Sequence, residues 1–132
     1  MILVDSSAWI EYLRATGSDV HFRLRGLLEA GDELGTTEVV LMEILAGARS
    51  DREREALRRL LYGRCAFLPL RAPADYERAA ELFRRCRRGG ETVRKMTDCL
   101  VAVVAIGAGV ELLHRDADFV AIARHAPLRL VA

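Results

Sequence analysis

The apolar positions of this chain begin as an unbroken run and then fall into helical spacing. Met1-Ile2-Leu3-Val4 leads without a polar interruption into Asp5-Ser6-Ser7. A strand with one wet face would alternate, so the run predicts a strand covered on both faces, as in a parallel sheet. Asp5 then stands at the strand's carboxyl end, where open α/β sheets bind their ligands. Ser6 or Ser7 is placed to cap a helix reaching about Leu13, with Ala8, Trp9, Ile10, Tyr12 and Leu13 as its packing atoms and Gly17 beyond it.

The same reading predicts a second helix over residues 19–30, spaced by Val20, Leu24, Leu27 and Leu28, and a strand over 33–36. Thr36 or Thr37 caps a third helix, carrying Val39, Val40, Met42, Ile44, Leu45 and Ala46 and stopping near Gly47. A charged helix over 51–62 keeps only Ala56, Leu57, Leu60 and Leu61 as an apolar stripe, and a strand covers 65–70. Pro73 opens a helix that Gly89-Gly90 ends after Arg88. A helix over 97–108 is apolar nearly all round, followed by a strand at 111–114, a helix at 116–125 and an edge strand at 128–131. Strands alternating with helices predict an α/β fold whose parallel sheet carries helices on its faces.

Composition narrows the class without changing this picture. A chain of 132 residues, 52% hydrophobic and 30% charged, is expected to form one domain with a real core, residues 1–132, and not a disordered or low-complexity protein. Its 20 basic and 19 acidic residues leave a net charge of +1, which excludes a strongly basic nucleic-acid coat. Cys65, Cys86 and Cys99 form no C-x-x-C pair and follow no signal-peptide pattern, so neither a disulfide nor a zinc framework is expected, and the expected compartment is the cytoplasm. The most apolar segment, 99–108, is about half the length a bilayer span requires, so no membrane association is expected.

Asp5, Glu43, Asp98 and Asp116, with Asp118 beside the last, each lie within or at the end of an apolar segment. Glu43 emerges among Val39, Val40, Ala46 and Gly47, on the stripe that faces the core. Asp98 is the only charge between Thr97 and Val110, at the positive end of a buried helix. Taken singly, Asp5, Asp98, Asp116 and Asp118 are each explained as helix caps, and Glu43 by one buried arginine. Their joint placement is not explained that way. Carboxylates gathered in an apolar crevice either take up protons or bind a cation, and an all-oxygen set selects Mg²⁺ or Mn²⁺. Such a site suits phosphodiester hydrolysis.

Four stretches carry a resemblance to a known family: Met1 to Ser7, residues 37–47 around Glu43, Met96-Thr97-Asp98-Cys99-Leu100-Val101-Ala102, and Leu112-Leu113-His114-Arg115-Asp116-Ala117-Asp118-Phe119. In order and spacing they resemble the PIN-domain ribonucleases, and more closely the VapC toxins of type II toxin–antitoxin pairs. The resemblance implies a three-layer sandwich with a mostly parallel central sheet. It assigns Asp5, Glu43, Asp98 and Asp116 to a catalytic metal site and Ser6 and Asp118 to accessory positions. It further implies a Mg²⁺-dependent endoribonuclease, with Mn²⁺ substituting, that cuts RNA such as tRNA or rRNA, inhibits translation and is restrained by a small antitoxin protein in a homodimer or toxin–antitoxin hetero-oligomer. His114 departs from the pattern, standing where threonine or serine is frequent.

Arg84, Arg85, Arg87, Arg88, Arg94 and Lys95 precede Asp98, Arg115 adjoins Asp116, and Arg49, Arg52, Arg54, Arg58 and Arg59 follow the glutamate helix. Among these, Arg87, Arg88, Arg94, Lys95 and Arg115 are the candidates for gripping RNA phosphates; a solvated helix face is the plainer alternative. Trp9, Tyr12 and Leu13, with the fourth helix's stripe, are candidates for a partner surface or for core. Two other classes compete. A receiver-type phosphoacceptor needs adjacent acids after the first strand and a lysine after a late one, but Ser6 follows Asp5 and the only lysine, Lys95, precedes a helix. A catalytically silent PIN-like module that only binds a partner would keep the acids without turnover. A dinucleotide binder is excluded by the lack of G-x-G-x-x-G after the first strand.

Overall fold

A computed structural model describes residues 1–132. In chain order the elements are β1 (Ile2–Val4), α1 (Ser6–Leu13), α2 (Asp19–Glu29), β2 (Leu34–Thr36), α3 (Glu38–Ala46), α4 (Asp51–Arg64), β3 (Cys65–Phe67), α5 (Ala74–Arg88), α6 (Met96–Ala108), β4 (Glu111–Leu113) and α7 (Ala117–Ala123). The strands form one sheet in the order β3-β2-β1-β4, with every pairing parallel. Ile2 stands beside Leu34 on one side and Glu111 on the other, so β1 is central. Parallel strands need crossovers, and helices provide them, leaving both sheet faces dry. Leu3 and Val4 are fully buried, as the unbroken apolar run required.

The core joins Leu3, Val4, Trp9, Leu24, Val40, Leu112, Phe119 and Ile122 with nearly the whole of α6, where Cys99 and residues Val101 to Ala105 are buried. Helix α5 packs on α6 and α7, and α1 on α2 and α3. No helix is long and apolar enough to cross a membrane. Gly89, at the end of α5, is required by a close approach: a Cβ there would lie 2.2 Å from the His125 ring.

The structure departs from the sequence expectations at several ends. The strand expected over 65–70 stops at Phe67; Leu68 still donates to the Thr36 carbonyl, but Pro69 has no N–H and the Leu70 N–H turns to the Glu38 carboxylate. The edge strand expected over 128–131 is reduced to a single bridge between Leu112 and Leu130. Asp5, not Ser6 or Ser7, caps α1, accepting from the Ser7 N–H. Thr37 occupies the cap position of α3 without a side-chain bond. Helix α4 runs on to Arg64, and α7 ends at Ala123, short of His125.

Candidate metal centre

The site grows from the carboxyl ends of the neighbouring strands β1 and β4. Asp5 leaves β1 with its N–H bonded to the Leu113 carbonyl of β4 at 2.9 Å, which fixes its backbone against the neighbouring strand. Its Oδ2 accepts from the N–H and the hydroxyl of Ser7. Its Oδ1 is buried and has no partner. The same Ser7 hydroxyl accepts from the Arg115 N–H at 2.8 Å, tying the turn after β1 to the turn after β4. Sequence reasoning singled out Ser6 and passed over Ser7; nothing in the spacing separates two adjacent serines, and only the turn geometry does.

Glu43 reaches the site from α3, where the Ser6 hydroxyl donates to its Oε1 at 3.0 Å. Asp98 stands in the first turn of α6, 1% exposed, with Oδ2 buried and unpartnered. It makes no cap bond. Asp116 does: as the N-cap of α7 its Oδ1 accepts from the Asp118 N–H at 2.9 Å. Capping and convergence are therefore not rivals for Asp5 and Asp116, since both groups do both. Asp118 turns its Oδ2 to the backbone N–H groups of Arg94 and Lys95, at 3.0 and 3.1 Å, and so clamps the segment before α6 across the rim. Oxygens of Asp98, Asp116 and Asp118 lie within 4.8 Å of one another. The tightest carboxylate group thus includes Asp118, which the sequence reading made accessory.

The electrostatics follow from burial and mutual repulsion. Asp98 is pushed up to about 8 by desolvation, by its hydrogen bond with Asp118 and by the charges of Asp5 and Asp116. Burial likewise raises Asp5, against the bonds from Ser7. Glu43 is raised by desolvation and by the charges of Asp5 and Asp116, against the Ser6 hydrogen bond. Burial works to raise Asp118 too, but the bonds from Asp98, Arg94 and Lys95 bring it below its ordinary value. These couplings put all five acids in one electrostatic neighbourhood.

The cations sort differently from their sequence neighbours. Lys95 Nζ lies 3.0 Å from Asp116 Oδ2 and 3.8 Å from Asp98 Oδ1, inside the cluster. Arg94 stands at 3.7 Å from Asp116 and 3.6 Å from Asp118, on the outer side. Arg115 pairs with Glu11 at 3.6 Å. Arg88 is bonded to Glu81 along α5, and Arg87 lies over the Phe83 ring. His114 accepts from the Asp116 N–H at 3.1 Å, its ring against Phe119. Burial holds its pKa down despite Asp5 and Asp116 nearby, so a neutral ring shapes the turn.

Two buried carboxylate oxygens without hydrogen-bond partners, in a set composed only of oxygens, fit a hard divalent cation. The neighbouring Cys99 does not compete as a ligand: burial pushes its thiol up to about 12.

A parallel sheet with a rim of carboxylates at the carboxyl ends of β1 and β4 fits the PIN domain, and that family's pattern matches residues 2–125; the chain belongs to the PIN-domain family. Within it the chain is similar to the VapC ribonucleases. It is 46% identical over 125 residues, 94% of its length and 92% of theirs, to VapC ribonuclease Mb1587 of Mycobacterium bovis and to ribonuclease VapC11 of Mycobacterium tuberculosis. The fold is that of solved relatives at lower identity. VapBC2 from Rickettsia felis, solved on a DNA fragment from its promoter, superposes with a TM-score of 0.74 at 17% identity, covering 99% of this chain and 98% of the other. VapC20 of M. tuberculosis, described as a sarcin-ricin loop cleaving toxin, gives 0.69 at 20% identity, covering 98% and 99%.

Proposed function

We propose that the protein is a divalent-metal-dependent endoribonuclease that acts as the toxin of a toxin–antitoxin pair. The observation that carries this reading is the meeting of Asp5, Glu43, Asp98, Asp116 and Asp118, from four separate stretches of the chain, around two buried and unpaired carboxylate oxygens. Such an arrangement costs stability unless a cation resolves it. Kinship with named VapC ribonucleases at 46% identity supplies the substrate class.

Asp5, Glu43, Asp98 and Asp116 are the groups that would hold Mg²⁺, for which Mn²⁺ would substitute. When bound, the ion supplies charge neutralisation at the scissile phosphate and an acidified water. The chain's own part is orientation. Ser7 fixes Asp5 against the turn after β4, Ser6 fixes Glu43, and Asp118 holds the segment carrying Arg94 and Lys95 over the rim. Arg94 and Arg115, both well exposed beside the site, would meet an RNA backbone, as would Arg87 and Arg88 at the end of α5. The reading extends to a single domain over residues 1–132, a cytoplasmic site of action, restraint by a small antitoxin protein and assembly as a homodimer or toxin–antitoxin hetero-oligomer.

The test is incubation of the purified protein with total cellular RNA and Mg²⁺ or Mn²⁺, with EDTA as the control, beside Asp5→Asn and Asp98→Asn. Discrete fragments that require metal and vanish in both variants are the expected result. Cleavage that survives both substitutions would overturn the assignment, and absence of cleavage under all conditions would leave a partner-binding module.

A further inference from the structure

Lys95 is the only lysine in the chain, and its ammonium is the cation nearest the carboxylate rim. It touches Asp116 Oδ2 at 3.0 Å and approaches Asp98 Oδ1 at 3.8 Å. Its backbone is fixed there independently of the side chain, because the Lys95 N–H and the Arg94 N–H both donate to Asp118 Oδ2. Val93, buried in the hydrophobic core, anchors the same segment. The lysine is thus tethered over the site by three rim acids, Asp116 and Asp98 through its ammonium and Asp118 through its main chain.

Charge and geometry then conflict with a second cation. Asp98, Asp116 and Asp118 are the carboxylates whose oxygens lie closest together, within 4.8 Å. Lys95 already spans the Asp98–Asp116 edge of that triangle. An ammonium has only donors and seeks the same lone pairs a hard ion seeks, so the two cannot share that edge. A lysine is suited to give way, being a compact charge on a flexible stem rather than a bidentate fork. Its side chain is 47% exposed, so a route outward is open, whereas Asp98 beneath it is 1% exposed and has no other cation in contact.

We propose that Lys95 is a tethered counter-ion in exchange with the divalent metal: it holds the Asp98–Asp116 edge together in the metal-free protein, and the incoming ion displaces it. The side chain thereby sets the metal affinity of the site and keeps the empty rim from splaying. This inference rests on the metal-site reading given above. Linkage fixes its consequences, since a group that stabilises the metal-free state must weaken metal binding by the same factor.

The experiment measures Mn²⁺ binding to the full-length protein by titration calorimetry, with no RNA present, for wild type, Lys95→Met and Arg94→Met. Thermal melts are recorded in EDTA and at saturating Mn²⁺. Lys95→Met is expected to bind Mn²⁺ about tenfold more tightly than wild type. It should melt lower in EDTA and lose that deficit in saturating metal. Arg94→Met removes the same charge at 3.6 to 3.7 Å from two of the same acids, but from a side chain 72% exposed, and should change affinity far less. Should Lys95→Met fail to fold without metal, Lys95→Gln keeps a donor for Asp116 and is expected to shift affinity in the same direction.

Equal or weaker Mn²⁺ binding by the lysine variants would overturn the exchange. So would an equal gain in Arg94→Met, which would mean that any nearby positive charge has the effect. Binding by wild type with no change in the lysine variants removes this inference alone. Failure of every form to bind Mn²⁺ removes the metal site and the counter-ion with it.

Discussion

On the outer face of α5, Glu81 accepts from Arg84 and Arg88 at 3.1 Å each, with all three side chains roughly half exposed. At the rim of the sheet, Asp5 and Asp98 are at most 1% exposed and each leaves a carboxylate oxygen with no partner. The two regions use one chemical group in opposite ways. Hydrogen bonding from Arg88 and the charges of its neighbours hold the Glu81 carboxyl below its ordinary value, while burial and like charge drive the Asp98 carboxyl up to about 8. Water is available to Glu81 whether or not arginine is there, so its ion pairs replace one good solvation with another. Asp98 has lost water and received no full replacement. A buried acid held this far from its ordinary value, with an oxygen left unpartnered, is a mark of function, and the contrast points to the rim, not the more conspicuous arginine-rich helix.

Asp98→Asn is the change that strains the comparison most. It removes the ionisable group while keeping the shape. Under the proposed function, RNA cleavage falls by more than about 100-fold, since an interaction made with the reacting centre is lost. The metal-free protein should nevertheless melt at the same temperature or higher, because a buried amide costs less desolvation than a buried carboxylate. Loss of activity accompanied by a marked drop in melting temperature would instead make Asp98 a structural ion-pair partner, no different in kind from the acids of α5.

Asp118→Asn tests the next layer outward. Its carboxylate touches the two backbone N–H groups that position Arg94 and Lys95. Weakening those bonds should cost about 10- to 100-fold in activity or metal affinity, the usual range for a group that orients a metal site. A milder loss than Asp98→Asn, read in the same cleavage assay, is the expected order; reversal of that order would put Asp118 in the place the sequence reading gave to Asp5 or Glu43.

Much of the sheet was legible because burial is written into the pattern itself. The unbroken Ile2-Leu3-Val4 could only be a two-sided strand, and the almost wholly apolar α6 could only lie inside. The positions of acids within those segments followed directly. What escaped was whatever depends on one loop folding over another. By sequence Lys95 is a candidate for gripping an RNA phosphate, yet Asp118, 23 positions later, draws its backbone over the rim and its ammonium pairs with Asp116 and Asp98. Ser7 and Asp118 are likewise defined by bonds to residues distant in sequence, which no local periodicity encodes. The missing edge strand at 128–131 has the same origin: Leu112 donates to the Arg129 carbonyl and accepts from the Val131 N–H, and this short contact does not extend into a ladder.

Asp75 lies between the two extremes and gives a smaller, pH-dependent effect. Its carboxylate accepts from the Arg71 N–H at 2.8 Å, closing the first turn of α5 back onto the preceding loop, and from Arg78 at 2.9 Å. The backbone bond from Arg71, followed by Arg78, lowers its pKa against a modest burial penalty. A lowered acid stabilises the fold above the unfolded-state value, near 4, and that contribution is lost as pH falls through the folded-state value. Asp75→Asn should therefore cost about 1 kcal/mol at pH 7, as for the loss of a helix-capping carboxylate, and almost nothing at a pH below the folded-state value. Denaturant unfolding at the two pH values measures the difference. A penalty of equal size at both would mean that the side chain's shape, not its charge, holds the turn.

Glu81→Gln is expected to have the least effect of all, and for that reason it tests the premise of the comparison. The side chain keeps the length and an oxygen acceptor for Arg84 and Arg88, loses only a solvent-screened charge, and uncovers no buried group. The melting temperature should be indistinguishable from wild type, and cleavage and Mn²⁺ binding should be unchanged. If this exposed substitution lowered stability as much as Asp75→Asn, exposure would not be what separates the two sets of carboxylates. The unpaired oxygens of Asp5 and Asp98 would then reflect a different local packing and not function.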